Sequence, residues 1–280
     1  MNYILFNYGI TPKYIKYTIE SIKKYNLNSK IYFCTNDTTF QNHDVNIINI
    51  SELNESRTLE IINSEYYKKD KNPLWNTSMA RVFAIFDVAK LLSIDEFLHF
   101  DNDVLIFEDF YKVKKSLDEF KGLHITRSNS RRLVFGFSYI NCIDTYKQII
   151  DILYDELLSN NLLNIAINDK SYQFNEMQML NIAYKKNPEL INILPSIPLE
   201  NQPMLFDPGD YGIFLEGNDF NENISTITLS NDIGKYIYKN LPNIDIDFVS
   251  NKPFLIQNDS SHQIFNLHIH QKNLEKYSFN

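Results

Sequence analysis

Two carboxylates interrupt an otherwise apolar strand pattern at Phe97-Leu98-His99-Phe100-Asp101-Asn102-Asp103-Val104-Leu105-Ile106. A buried strand that ends in Asp-x-Asp delivers both side chains to the carboxyl edge of a sheet, where open α/β sheets bind ligands. Two ionised carboxylates this close repel each other, and burial raises their pKa values, unless a cation lies between them. A hard divalent ion meets that need, and such ions commonly bridge protein carboxylates to substrate phosphates. An acidic turn closing a strand is the plain alternative, since Asp is a favoured turn residue. Near the other end of the chain, His268-Ile269-His270-Gln271-Lys272 alternates two histidines and a lysine, which a persisting strand points to one side. Alone, such a histidine pair reads as structural. Beside carboxylates that need a cation, neutral imidazole completes the coordination, and manganese accepts mixed oxygen and nitrogen ligands. Lys272 then neutralises phosphate charge as a point donor. Alternate residues on a regular strand lie roughly 6.6 Å apart, so one ion takes one imidazole. His270, nearer Lys272, is the expected ligand, with His268 its neighbour.

The elements that must position these groups alternate strand and helix through the first half of the chain. Tyr3–Phe6 reads as a strand, and Thr11-Pro12 as the start of a helix carrying Ile15, Ile19 and Ile22. Lys30–Cys34 and Val45–Ile50 read as strands, and Thr77–Leu92 as a strong helix leading into the Asp-x-Asp strand. Between them, Ser51 to Asn72 reads as a loop or helical excursion over the site. Such alternation predicts a layered α/β domain with parallel strands. Leu123–Thr126 and Leu133–Ile140 follow as strands around the basic turn Arg127–Arg132, then helices over Thr145–Leu158 and Asn175–Tyr184. Loops are expected to prevail from Asn187 to Asn223, and a last strand over Ile264–Lys272.

Composition narrows the partners. With 280 residues, 44% of them hydrophobic, the chain can bury a substantial core, and wholesale disorder is excluded. A net charge of −8 argues against nucleic acid as a partner and offers no basic face to anionic lipid. Cys34 and Cys142 sit in apolar segments and read as reduced core residues. The N-terminus lacks the basic and small-residue features of a signal peptide, and no apolar run is long enough to span a bilayer. A cytoplasmic location is the expectation, with peripheral membrane association left open.

Taken in order, these segments resemble the GT-A fold glycosyltransferases, bacterial polysaccharide- and capsule-type members among them. The resemblance covers the N-terminal strand, Ser78-Met79-Ala80-Arg81, Phe100-Asp101-Asn102-Asp103, Phe174-Asn175-Glu176-Met177-Gln178-Met179-Leu180, Phe206-Asp207-Pro208-Gly209-Asp210-Tyr211-Gly212, and Asn266 through Leu274. It implies a Rossmann-like, mixed but mainly parallel central sheet flanked by helices, with a loop-rich C-terminal elaboration. One domain over 1–280 is expected, divided into a nucleotide-binding half, 1–107, and an acceptor half, 108–280, that ends in the metal and diphosphate strand. The implied activity is a metal-dependent, hexosyltransferase-like transfer of sugar from a nucleotide-diphosphate sugar to a glycan or other hydroxyl acceptor, in surface polysaccharide biosynthesis, with Mn2+ or Mg2+ as cofactor.

The roles that the resemblance implies fall on named residues. Asp101 and Asp103 hold the metal and the donor, His268 or His270 completes the metal shell, and Lys272 contacts the diphosphate. Asn7, Tyr8, Asn36, Asp37, Arg81 and Asn102 line the nucleotide-sugar site, Tyr8 stacking on the base. Tyr8 could equally be a packing residue, and Arg81 a solvated helix charge. Glu176 is either the carboxylate that takes an acceptor proton or a helix-start acid favoured by the dipole. Arg127, Arg131 and Arg132 are either an acceptor rim or an exposed basic turn. Retention of the anomeric centre is favoured over inversion, because no Trp-Gly-Glu-Asp segment is present and the only tryptophan is Trp75. A metal-dependent hydrolase of phosphoesters or nucleotide-sugars and a non-catalytic carbohydrate-binding protein are the alternatives.

Overall fold

Short runs of β-branched and aromatic residues, apolar on both faces, suit strands buried between helical layers. In the computed structural model, which describes residues 1–53, 57, 58, 60, 73–158, 175–199, 204–216 and 230–278, such runs build one central sheet. Its parallel part is β1 (Asn2–Asn7), β2 (Lys30–Thr35), β3 (Asn46–Asn49) and β4 (Phe97–Phe100), in the order β3-β2-β1-β4. Beyond β4 come a hairpin of β6 (Leu123–Asn129) and β7 (Arg132–Ile140), antiparallel to β4, and then β8 (Ile191–Ile193), parallel to β6. The expected mixed, mainly parallel sheet flanked by helices is present.

Both faces of the sheet are covered. Along β1, Tyr3 and Leu5 pack with Ile15, Ile19 and Ile22 of α1 (Ile15–Tyr25), while Ile4 and Phe6 point to the opposite face. There they meet α2 (Pro73–Leu91), α4 (Ile143–Leu158) and α5 (Glu176–Lys186). Each fully buried isoleucine of this kind contributes roughly 1.5–3 kcal/mol. The first helix begins at Ile15 rather than at Thr11-Pro12. Asn36 Oδ1 accepts from Gly9 N at 2.6 Å and Asp37 Oδ2 from Thr11 N at 2.8 Å, so the segment ahead of α1 is held as a loop. Cys34 is buried in β2, Cys142 is half-buried, and both are free thiols.

Two further pairings decide where the ends of the chain meet. After the Asp-x-Asp turn, β5 (Val104–Ile106) leaves the central sheet and pairs antiparallel with β13 (Asn266–His268), with Val104 opposite His268. Beside this ribbon lies a small sheet in the order β10-β11-β12-β9, from β9 (Met204–Leu205), β10 (Ile244–Val249), β11 (Lys252–Gln257) and β12 (Ser260–Ile264). Helices α3 (Tyr111–Leu117), α6 (Asp210–Glu216), α7 (Asp232–Asn240) and α8 (Leu274–Tyr277) complete the described elements. The C-terminal region, expected to be loop-rich, is therefore built on a sheet. The last strand expected over Ile264–Lys272 is broken in two and stops at His268. Most of Ser51–Asn72, and the Trp75 side chain, lie outside the described residues. No helix among the described residues is long and apolar enough to cross a membrane.

Candidate active site

The Asp-x-Asp turn sits at the carboxyl ends of β4 and β1, and backbone bonds fix it there. Asp101 N donates to Gly136 O at 2.9 Å and Val104 N to Asp101 O at 3.1 Å. Asn102 Nδ2 donates to Phe6 O at 3.0 Å, and Asn102 O accepts from Thr18 Oγ1 at 2.7 Å. The middle residue is thus engaged with β1 and α1, and it turns the flanking carboxylates toward a cavity of about 760 Å³.

Asp103 is buried and meets the C-terminal segment directly, because Ile269 N donates to Asp103 O at 2.9 Å. His268 Nε2 lies 3.2 Å from Asp103 Oδ1 and 3.8 Å from Asp101 Oδ2. Lys272 Nζ forms an ion pair with Asp103 Oδ2. Burial alone would raise the Asp103 carboxyl, but His268 and Lys272 beside it hold it well below the usual carboxylate range. Since the chain leaves strand geometry after His268, the two imidazole rings come within 4.2 Å, centroid to centroid. Ligand atoms of Asp103, His268 and His270 all lie within 4.8 Å of one another. The regular strand on which the expectation of a single imidazole ligand rested is thus absent, and both imidazoles lie within reach of one ion. Lys272 owes its approach to a left-handed φ of 66°. The neighbouring His268 holds the exposed His270 well below the ordinary imidazole value, so it is neutral and able to ligate.

Asp207 keeps the histidine segment in place. Its carboxylate accepts from Gly209 N (2.7 Å), Tyr211 N (3.0 Å), Gly212 N (3.1 Å) and His268 N (3.0 Å), joining the start of α6 to β13. The approach is close enough that glycine is required. A Cβ on Gly212 would stand 2.0 Å from His268 O, and one on Gly209, at φ +134°, would stand 2.4 Å from His270 Nε2.

Across the cavity, Arg81 and Glu176 form a second group. Arg81 is not a solvated helix charge: its side chain is 11% exposed, forms an ion pair with Asp101 and donates to Glu176 Oε1 at 3.4 Å. Asn175 caps α5 by accepting from Gln178 N, which leaves the Glu176 side chain for the cavity. Burial raises the Glu176 carboxyl while Arg81 opposes the rise, and Glu176 Oε2 has no hydrogen-bond partner among the described residues.

Other expected residues divide. Asn7 and Tyr8 line the cavity, Tyr8 with 40% exposure at its rim. Asn36 and Asp37 are not in the lining, and their side chains instead hold the loop that carries Tyr8. Of the basic turn, Arg132 lines the cavity whereas Arg127 lies over the Tyr184 ring at 5.2 Å. Sequence reasoning passed over Tyr14, Ser128, Asp210 and Asn231, which also line it. Asp210 lies in a segment already singled out, Phe206 to Gly212, but nothing local marks which of its two aspartates faces the cavity.

The sequence matches no protein-family model and no curated protein. Among solved structures, the chain trace is similar to mouse xyloside xylosyltransferase 1 in its apo form, at 10% identity and TM-score 0.48, over 70% of this chain and 86% of that one. It is similar to the PaToxG glycosyltransferase at 14% identity and TM-score 0.37, over 67% of this chain and 69% of that one. For the apo form of the glycosyltransferase GlyE of Streptococcus pneumoniae TIGR4 the figures are 13% identity and TM-score 0.48, over 100% of this chain and 60% of that one. The likeness is one of overall chain trace, and the chemistry of the site rests on this chain's own residues.

Proposed function

We propose that this chain is a metal-dependent glycosyltransferase that moves a sugar from a nucleotide-diphosphate sugar to a glycan or other hydroxyl acceptor, acting as one unit over 1–280. The observation that carries this reading is the convergence of Asp103, His268 and His270, with Lys272 beside them, in a cavity at the carboxyl edge of the parallel strands.

The donor set fits a divalent cation. It combines one carboxylate with two imidazoles, as Mn2+ accepts and Mg2+ less readily, and the buried Nδ1 of His268 makes no hydrogen bond among the described residues, while Nε2 faces the carboxylates. Asp101, held by Arg81, stands at the edge of the set. When bound, the ion supplies counter-charge for a diphosphate leaving group. Lys272 exchanges its Asp103 partner for a diphosphate oxygen and stabilises charge that grows as the glycosidic bond breaks. Tyr8 and Asn7 take the nucleoside at the end of β1. Glu176, tied to Arg81, orients the acceptor or the sugar, which supports retention of the anomeric centre over inversion.

Incubation with a panel of nucleotide-sugars separates the readings. Slow, donor-specific release of nucleotide that needs Mn2+ and stops with EDTA is the expected result. Release unaffected by EDTA would end the metal reading, and activity on simple phosphoesters without nucleotide preference would overturn the transferase in favour of a hydrolase. NMR of the product then reads its anomeric configuration.

A further inference from the structure

Among the described residues, the carboxylates that face inward are compensated, with one exception. Asp101 and Glu176 face Arg81, Asp103 faces His268 and Lys272, and Glu108 faces Lys112 and Lys252. Asp207 has its backbone N–H donors. Asp210 is 4% exposed, lines the cavity, and has no cation partner among the described residues. Its side-chain partner is a neutral amide, Asn231 Nδ2, which donates to Asp210 Oδ1 at 3.0 Å. A buried carboxylate without a charge partner is costly, and burial pushes this carboxyl up to about 7. Helix capping does not account for it, because Asp207 already accepts from the N–H groups at the start of α6.

The surroundings of Asp210 are built to aim it. Asn231 Oδ1 accepts from Ser128 Oγ at 2.6 Å, so the amide is held on one side by β6 while it holds Asp210 on the other. Three separated segments of the chain thus converge on one carboxylate. An ionised carboxylate only accepts hydrogen bonds, and its two oxygens offer about four lone-pair sites. One of these is taken by Asn231 and one by the residue's own backbone N–H, which leaves acceptor capacity toward the cavity. Ile213 and Val134 supply apolar lining in the same cavity, and Arg132 on its wall disfavours a cationic ligand.

From this geometry we propose that Asp210, aimed by Asn231 and Ser128, is the acceptor-binding carboxylate, and that the acceptor is a neutral sugar whose adjacent hydroxyls donate to it. Adjacent hydroxyls match the spacing of two carboxylate oxygens, while the C–H face of a pyranose packs on Ile213 and Val134. The proposal rests on the transferase reading for its setting, although binding at Asp210 can be measured without turnover.

The test uses the full chain with Mn2+ and UDP or GDP at pH 8, where Asp210 is ionised. Calorimetry reads nucleotide binding, and saturation-transfer NMR reads binding of methyl glucoside, galactoside, mannoside and xyloside, with methyl glucosaminide as the cationic control. A neutral glycoside is expected to bind, and Asp210→Asn to weaken it by about tenfold or more, the worth of hydrogen bonds to a charged group. Nucleotide affinity should stay within roughly twofold in that variant, since the cation cluster is untouched. Its unfolding temperature should be equal or higher, because an uncompensated buried charge is removed while Oδ1 still accepts from Asn231. If Asp210→Asn fails to fold, Ser128→Ala should give the same loss of glycoside with the fold intact. Nucleotide binding with no glycoside binding, a preference for the glucosaminide, or glycoside affinity unchanged in Asp210→Asn each overturns the proposal and leaves the transferase reading in place. Absence of nucleotide binding, with glycoside binding still dependent on Asp210, overturns the transferase reading and leaves this one.

Discussion

Asp103 and Asp210 line one cavity and are both buried, yet their neighbours push them in opposite directions. At the β5–β13 end, His268 and Lys272 hold Asp103 ionised, and the backbone of Ile269 ties the turn to the ribbon. At the α6 end, Asp210 has an amide for company and its carboxyl rises to about 7. Identical side chains are thus given different chemistry by their surroundings, as in sites where environment sorts paired carboxylates into separate roles. In the proposed reading, one end meets a cation and a polyphosphate, and the other offers its carboxylate to the hydroxyls of a ligand.

The largest expected effect tests the charged end. Asp103→Asn keeps the shape and removes the anionic ligand, so Mn2+-dependent nucleoside diphosphate binding should weaken by about 100-fold or more, with circular dichroism unchanged. Retained affinity in that variant with EDTA present would show that no metal works there. Lys272→Ala comes next, slowing nucleotide release from the donor by about tenfold to a hundredfold while Mn2+ binding persists. Equal losses in metal binding and turnover would place Lys272 in the structure of the cluster instead.

Glu176 lies between the two ends and sharpens the contrast. As an orienting group tied to Arg81, its replacement in Glu176→Gln should cost less than about tenfold in transfer, whereas loss of a general base costs about 100-fold or more. Donor affinity should hold in either case.

Solution pH addresses the uncharged end. The folded chain keeps a proton on Asp210 up to about pH 7, whereas the unfolded chain loses it near the ordinary value of 3.8. With more protons bound in the fold than out of it, this group's contribution to stability falls as pH rises through that window. Urea midpoints at pH 5 and pH 8 should therefore differ more in the parent chain than in Asp210→Asn, and identical slopes would remove Asp210 from the account. The smallest effect concerns packing under the cluster. A Cβ on Gly136 would stand 3.1 Å from His268 Nδ1 and 3.2 Å from Asp101 Oδ2. Gly136→Ala should cost on the order of 1 kcal/mol of stability and loosen Mn2+ measurably, whereas a silent substitution would mean that the histidine has room to move.

Much of this was legible in one dimension. The N-terminal alternation, the apolar run into Asp101-Asn102-Asp103 and the helix that carries Arg81 are local patterns, because a strand or helix face reports its burial through its own period. The acidic turn at a carboxyl edge was readable on that basis, whereas the expectation that a distant His-x-His-x-Lys segment meets it came from the carboxylates' need for a cation and not from any period. The small sheet of β9 to β12 was less so, since its short, polar-tolerant strands carry weaker patterns than a two-sided buried strand.

The parallel α/β frame and the residue types at its edge follow from local pattern. How those residues meet is set by pairings between segments far apart in the chain. The strand stops at His268, whose N–H is taken by Asp207, a residue 61 positions earlier, and this break lets His270 and Lys272 swing toward Asp103. Arg81 is buried because Asp101 and Glu176 close over it, and among the described residues Asp210 meets the Asn231 amide, itself held by Ser128, and no cation. Periodicity records which side of an element is covered, but the charge and hydrogen-bond partners of a buried group come from segments far off in the chain, and no local pattern encodes them.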